Sequence, residues 1–160
     1  MLDIYDNFSP GERVLFGHRL EDEDWGKIYR PLMEELDRMT SFIKQVYRER
    51  NPKCVLHCIT SGDHTTDSQH YLGRAVDCRF TSLSLYESVM MALLYGFTGV
   101  GFYPYSTPCF VHLDRKDIGE DRRRIWYRDE RGNYIDARDL PEVFSKLRGP
   151  HRTCFLNGAD

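Results

Sequence analysis

Residues 67 to 80 read DSQHYLGRAVDCRF, and this stretch restricts the fold more than any other. His70 and Asp77 lie seven positions apart. Side chains alternate along a strand, so an odd spacing sends these two to opposite faces of any regular strand. They converge only where the chain turns between them. Gly73 permits that turn, and Ala75 leaves room beside a bound group. His70 is then expected in a loop and Asp77 on a strand. Two readings fit: ordinary polar residues of a turn and strand, or two arms of a metal site.

The flanking sequence supplies the rest of a domain. Pro31 is a good first helical position, and Leu32, Leu36, Met39, Ile43 and Val46 repeat at helical spacing behind it. Basic residues gather in KQVYRER, which suits a helix C-terminus, and Asn51-Pro52 stops the helix. CVLHCIT reads as a short strand closed by SGD, and AVDCRF as a second. SLYE, residues 84 to 87, is a capping box opening a helix that ends at Gly96. GVGFYP and CFVHLD read as a strand pair joined through YSTP, and DERGN as a turn between short strands. A last helix is expected from about Leu140 to Leu147, with an irregular tail from Gly149. Residues 1 to 30 read as an arm of irregular structure packed on the body, 31 to 127 as the core, and 128 to 160 as an extension. The expected fold is α+β: one domain with a small, mostly antiparallel sheet and flanking helices.

Length and charge narrow the function. At 160 residues the chain suits one domain with a proper core, and a net charge of -3 disfavours nucleic acid as partner. No apolar run approaches a membrane span, and the N-terminus lacks a signal peptide, which implies synthesis in the cytoplasm. The five cysteines are odd in number and not spaced as CxxC, so they are read as mostly reduced. His57 and Cys58 in CVLHC are read as parts of an apolar strand rather than as a metal site. The triplet Arg122, Arg123 and Arg124 is read as a solvated face.

A catalytic zinc site takes three protein ligands and keeps one position open for water. His112 is the best third ligand. It shares a strand face with Asp114, and two polar groups on one face of an apolar strand need a buried partner. Asp114 is a candidate to take a proton from a metal-bound water or to orient a ligand.

The motifs carry a resemblance. SQHYLGRAVD matches the S-x-H-x-x-G-x-A-x-D signature of the zinc-dependent D-Ala-D-Ala carboxypeptidases, peptidase family M15. CITSGDH is similar to that family's strand ending in Ser-Gly, GFTGVGFYP to its Gly-rich approach to the second motif, and FVHLD to its His-x-Asp motif. Trp126 stands where a tryptophan often follows. The resemblance covers residues 30 to 127 and implies the fold shared with the hedgehog signalling domain. It implies a zinc peptidase acting on bacterial peptidoglycan peptides, with His70, Asp77 and His112 as the zinc ligands.

Two departures bear on the chemistry. Several branches carry a carboxylate base shortly before the last histidine, but YSTPC holds no acid. Asp114 is then the nearest catalytic carboxylate, with Asp63 and Asp67 as alternatives. Many members read Ser-Gly-Tyr-Arg, whereas this chain reads Ser61-Gly62-Asp63-His64, and His64 cannot copy an arginine fork on a substrate carboxylate. Ser68, His64 and Arg74 are the candidate substrate contacts, with Arg79 as a substitute for the missing arginine. The expected function is a peptidoglycan endopeptidase or carboxypeptidase, similar in size to phage lysis enzymes released to the wall. The alternatives are a zinc-containing binding module that has lost catalysis, or a different amide substrate.

Overall fold

A computed structural model of the chain describes residues 7–8, 14–15, 18–19, 23–116, 123–137 and 145. Leu32, Leu36, Met39 and Ile43 lie buried along one face of helix α1 (Arg30–Val46), with Pro31 in its first turn. Val46 is 49% exposed, so the buried stripe ends one turn before the helix does. A short 3-10 turn, Arg48–Arg50, and Asn51 at φ 47° then redirect the chain ahead of Pro52. Helix α2 (Leu85–Leu93) opens on the expected capping box: Glu87 N donates to Ser84 Oγ, and Ser84 N donates to the Glu87 carboxylate. Such caps contribute about 1 kcal/mol.

Strands β1 (Val14–Leu15) and β2 (His18–Arg19) form a small ribbon inside the segment expected to be irregular. The main sheet holds β3 (Cys54–Cys58), β4 (Ala75–Phe80), β5 (Gly99–Tyr103), β6 (Phe110–Asp114), β7 (Arg124–Arg128) and β8 (Tyr134–Asp136), in the order β3-β4-β6-β5-β7-β8. The sheet is mixed, which corrects the expectation of a mostly antiparallel one. β5 and β6 pair antiparallel as expected, but β7 lies on the other side of β5 and runs parallel to it. The reason is topological: the chain crosses β5 between β6 and β7 instead of turning back as a hairpin.

Alternation divides the sheet. Leu56, Val76, Cys78, Val100, Phe102, Val111, Leu113 and Tyr127 are buried in one core with the apolar faces of both helices. Asp77, His112, Asp114 and Trp126 belong to the opposite parity and so to the other face. Part of the N-terminal segment also joins the core, since Phe8 is buried and Asn7 bonds Asp37 and Ser41. In the expected DERGN turn, Asp129 accepts from the backbone of Arg131 and Asn133. The helix expected over 140 to 147, residue 145 apart, and the tail from Gly149 lie outside the described residues. Cys54, Cys58 and Cys78 are free, as expected of reduced thiols, whereas Cys109 is disulfide-bonded. Among the described residues no helix is long and apolar enough to cross a membrane.

The turn demanded by the odd spacing of His70 and Asp77 is present. Gly73 has φ +68°, and a Cβ there would stand 2.1 Å from the Lys27 carbonyl oxygen. A side chain therefore meets both a left-handed backbone and a backbone clash. Gly73→Ala is expected to destabilise the protein by about 2 kcal/mol or more, read as a lower midpoint in denaturant unfolding. An unchanged midpoint would show that this turn relaxes freely.

Candidate metal centre

Register builds the centre. Asp77 on β4 pairs directly across from His112 on β6, and Ala75 across from Asp114. Gly101 and Gly99 on β5 face the same two residues from the other side. Both glycines are required by space. A Cβ on Gly99 would lie 2.0 Å from Asp114 Oδ2, and one on Gly101 would lie 2.3 Å from the Trp126 ring. The two missing side chains let Asp114 and Trp126 lie over β5, and the Trp126 ring stands 5.2 Å from that of His112.

His70 comes from the turn before β4, and its Nε2 lies 3.1 Å from His112 Nδ1 and 3.3 Å from Asp77 Oδ1. His112 Nδ1 lies 3.0 Å from the same Asp77 oxygen. The far side of each imidazole is also occupied. His70 Nδ1 stands 2.9 Å from the Ile59 carbonyl, and His112 Nε2 stands 3.4 Å from Asp114 Oδ2. A carbonyl and a carboxylate only accept, so these two nitrogens carry the protons. His70 Nε2 and His112 Nδ1 are left with lone pairs turned toward each other and toward a carboxylate oxygen. Three such acceptors at this separation need a cation between them. Two imidazoles and a carboxylate suit a divalent transition metal, and the partners behind each imidazole match the way metal-ligating histidines are held.

Without a metal, a proton takes the place of that cation. Burial alone would lower His112, but hydrogen bonds to Asp114 and Asp77 outweigh it and raise its pKa to about 9. Burial alone would raise Asp77, yet the hydrogen bond from protonated His112 outweighs it and holds the carboxyl well below the usual carboxylate range. The metal-free cluster is thus an imidazolium held between two carboxylates.

The family comparison agrees with this geometry. The family described as peptidoglycan L,D-endopeptidase MepK matches residues 18–123, about two thirds of the chain. The chain belongs to the M15 peptidases. No curated protein and no solved structure matches it at a significant level. The matched span opens at His18, inside the N-terminal arm, and a second observation links that arm to the M15 centre.

That observation is Glu23, which sequence reasoning missed. It is 5% exposed and accepts from the backbone of Ile59, Thr60 and Ser61 and from the hydroxyls of Thr60 and Ser61. It therefore fixes the loop whose Ile59 carbonyl orients His70. One acid in the run EDED carries no local signal for that role.

Other sequence candidates fall at different distances from the centre. Ser68 Oγ accepts from His70 N, and Ser68 lines a cleft of about 410 Å³ together with His112, Asp114 and Trp126. His64 stacks on the His70 ring at 4.6 Å and lines a neighbouring cleft with Asp63 and Asp24. Arg74 lies over the Tyr29 ring and lines neither cleft. His57 packs against Phe110, and burial lowers its pKa to about 4, so it stays neutral. Cys58 lies 3.5 Å from Asp77 Oδ2, where burial and then the Asp77 charge push its thiol up. A thiol held protonated is a poor ligand. The arginine triplet is not simply solvated: Arg123 donates to the Leu93, Tyr95 and Phe97 carbonyls at the end of α2, and Arg124 pairs with Asp114.

The proton on His112 gives metal affinity a pH dependence. Its folded pKa is raised above the ordinary 6.5 to about 9. Its contribution to metal-free stability is complete below 6.5 and disappears as the pH rises through about 9. Binding a metal expels this proton, so apparent affinity should rise about tenfold per pH unit between pH 6.5 and 8.5 and level off above 9. Competition titration with a chelating dye checks this. A flat profile would show that His112 carries no proton to displace.

Proposed function

We propose that this chain is a zinc-dependent peptidase that hydrolyses peptide bonds of bacterial peptidoglycan as an endopeptidase, on a hedgehog/DD-peptidase-like fold. The observation that carries the reading is the convergence of His70 Nε2, His112 Nδ1 and Asp77 Oδ1 within 3.3 Å of one another beside an open cleft. Membership of the M15 peptidases supports peptide hydrolysis, and the L,D-endopeptidase description of the matched family supports an internal bond.

His70, Asp77 and His112 would hold the zinc, which supplies an activated water and polarises the scissile carbonyl. Ile59 and Asp114 hold the two imidazoles in the ligating tautomer. Asp114 is 1% exposed and already engaged by Thr98 Oγ1 at 2.8 Å, Arg124 Nη2 at 3.1 Å and His112 Nε2 at 3.4 Å. We therefore assign it to positioning His112 rather than to taking the proton from water. Asp67 lines the same cleft, and a bond from the Thr65 hydroxyl holds its pKa below the usual carboxylate range. It is ionised at neutral pH and is our candidate base. Ser68 lies beside it as a substrate contact.

The test is incubation of zinc-loaded protein with peptidoglycan of several wall types, followed by mass analysis of released peptides. Two new termini within a cross-link are expected. Bound zinc without any released peptide would instead favour a non-catalytic zinc module. His70→Ala and His112→Ala should each abolish stoichiometric metal and peptide release; metal retained by either refutes the ligand set. Asp67→Asn should keep the metal and lower kcat by about 10²–10⁴. Asp114→Asn should weaken metal binding by about 10–100-fold. The reverse pattern would return the base to Asp114.

A further inference from the structure

We propose that the Cys58 thiol donates to the outer oxygen of Asp77 and so holds this candidate zinc ligand to a single ligating atom. The proposal rests on the metal-ligand reading of His70, Asp77 and His112, and it gives Cys58 a positioning role within that reading.

Strand parity alone would send Cys58 elsewhere. Cys54 and Leu56 on β3 are buried in the core, while His57 packs against Phe110 on the opposite face. By alternation Cys58 would follow Leu56 into the core. The register of β3 on β4 shifts at this point: Leu56 pairs with Cys78, but Cys58 pairs with Asp77. His57 and Cys58 thus stand against one step of β4, which is a β-bulge. Directly paired residues share a sheet face. The bulge therefore turns Cys58 out of the core and onto the face of the metal centre. Cys58, Asp77, His112 and Gly101 then form one row across β3, β4, β6 and β5.

The thiol meets one half of the carboxylate. Cys58 Sγ lies 3.5 Å from Asp77 Oδ2. Asp77 Oδ1 instead faces His112 Nδ1 at 3.0 Å and His70 Nε2 at 3.3 Å. The neighbours fix the direction of the sulfur bond. A carboxylate only accepts. The other polar group near the sulfur is His70 Nδ1 at 3.8 Å, and it already carries the proton it gives to the Ile59 carbonyl at 2.9 Å. The thiol proton therefore goes to Oδ2. An ionised acceptor strengthens such a bond, which offsets the weakness of sulfur as a donor. The protonated Nδ1 also offers no lone pair to a cation held between Cys58 and His70.

A carboxylate can ligate a metal through one oxygen or through both. Ligation through both would turn Oδ2 inward and break its bond to Cys58. With Oδ2 held, Asp77 fills one position, and three ligands leave a fourth open, as a catalytic site requires. The Ile59 carbonyl holds His70 from behind and Asp114 holds His112. Cys58 does the same for Asp77.

The experiment loads the full chain with Co²⁺ in place of zinc. It reads the visible spectrum and the metal stoichiometry, with peptide release from peptidoglycan assayed in parallel. Four-coordinate Co²⁺ absorbs more strongly in the visible than five-coordinate Co²⁺, and a thiolate ligand adds a sulfur-to-cobalt charge-transfer band. The parent protein should give the four-coordinate spectrum without that band. Cys58→Val keeps the volume and removes the donor. Its visible bands should weaken as Oδ2 joins the metal, and peptide release should fall about tenfold or more. Cys58→Ser keeps a donor and should restore the parent spectrum. Cys58→Ala takes the place of Cys58→Val if the latter does not fold. A charge-transfer band in the parent that Cys58→Ser abolishes makes Cys58 a ligand and overturns the proposal. So does a folded Cys58→Val or Cys58→Ala protein with the parent spectrum, or a changed spectrum that Cys58→Ser shares. An unchanged spectrum with metal bound and peptide released refutes the role of Cys58 alone. A parent protein that binds no stoichiometric metal refutes the ligand reading and this role with it. If the spectra change as expected and no wall releases peptide, the peptidase reading is wrong and the role of Cys58 stands.

Discussion

The centre depends on one pairing: Asp77 on β4 lies directly opposite His112 on β6. Directly opposed residues hold their Cβ atoms about 5 Å apart, which sets an imidazole and a carboxylate within reach of one cation without any loop having to move. His70 then needs only to arrive from the turn before β4. A slip of one residue in this register would send Asp77 to the helix-covered face and destroy the site. The apolar parity of the same strands, with Val76, Cys78, Val111 and Leu113 all buried, resists that slip. The core thus protects the chemistry by fixing the register.

Around that pairing the sheet has been cleared of side chains. Gly99 and Gly101 on β5 leave space that Asp114 and the Trp126 ring occupy. The parallel pairing of β5 with β7 brings Trp126 and Arg124 over these glycines. A hairpin return from β6 would have placed other residues there. The mixed topology is therefore part of the site, because it supplies the aromatic and cationic sides of the cleft.

The polar partners form a continuous set behind the candidate ligands. Glu23 grips the 59–61 loop, and Ile59 orients His70. Thr98 and Arg124 engage Asp114, which faces His112. Buried polar groups of this kind are stable only when each has its partner. The ordering of both imidazoles is thus built before any metal arrives, and the metal-free cluster keeps its balance by holding a proton on His112.

Much of this was legible in the sequence. The odd interval between His70 and Asp77 demanded a turn at Gly73, and the alternation in FVHLD demanded that His112 and Asp114 share a face. Helical spacing after Pro31 and the Ser84–Glu87 capping box were equally local, because caps and periodicities act over a few residues. Tertiary structure alone decided the long-range partners. That Glu23 fixes the loop behind His70, that Arg123 closes the end of α2, and that Arg124 reaches Asp114 depend on which segments the crossover brings together. Their sequences, EDED and RRR, read the same on a solvated surface. The sequence by itself determined which residues could ligate a cation, since donor chemistry and strand parity are local properties. The fold decided which carboxylate is engaged, which remains open to the cleft and where the cations stand, since those depend on contacts between residues far apart in the chain.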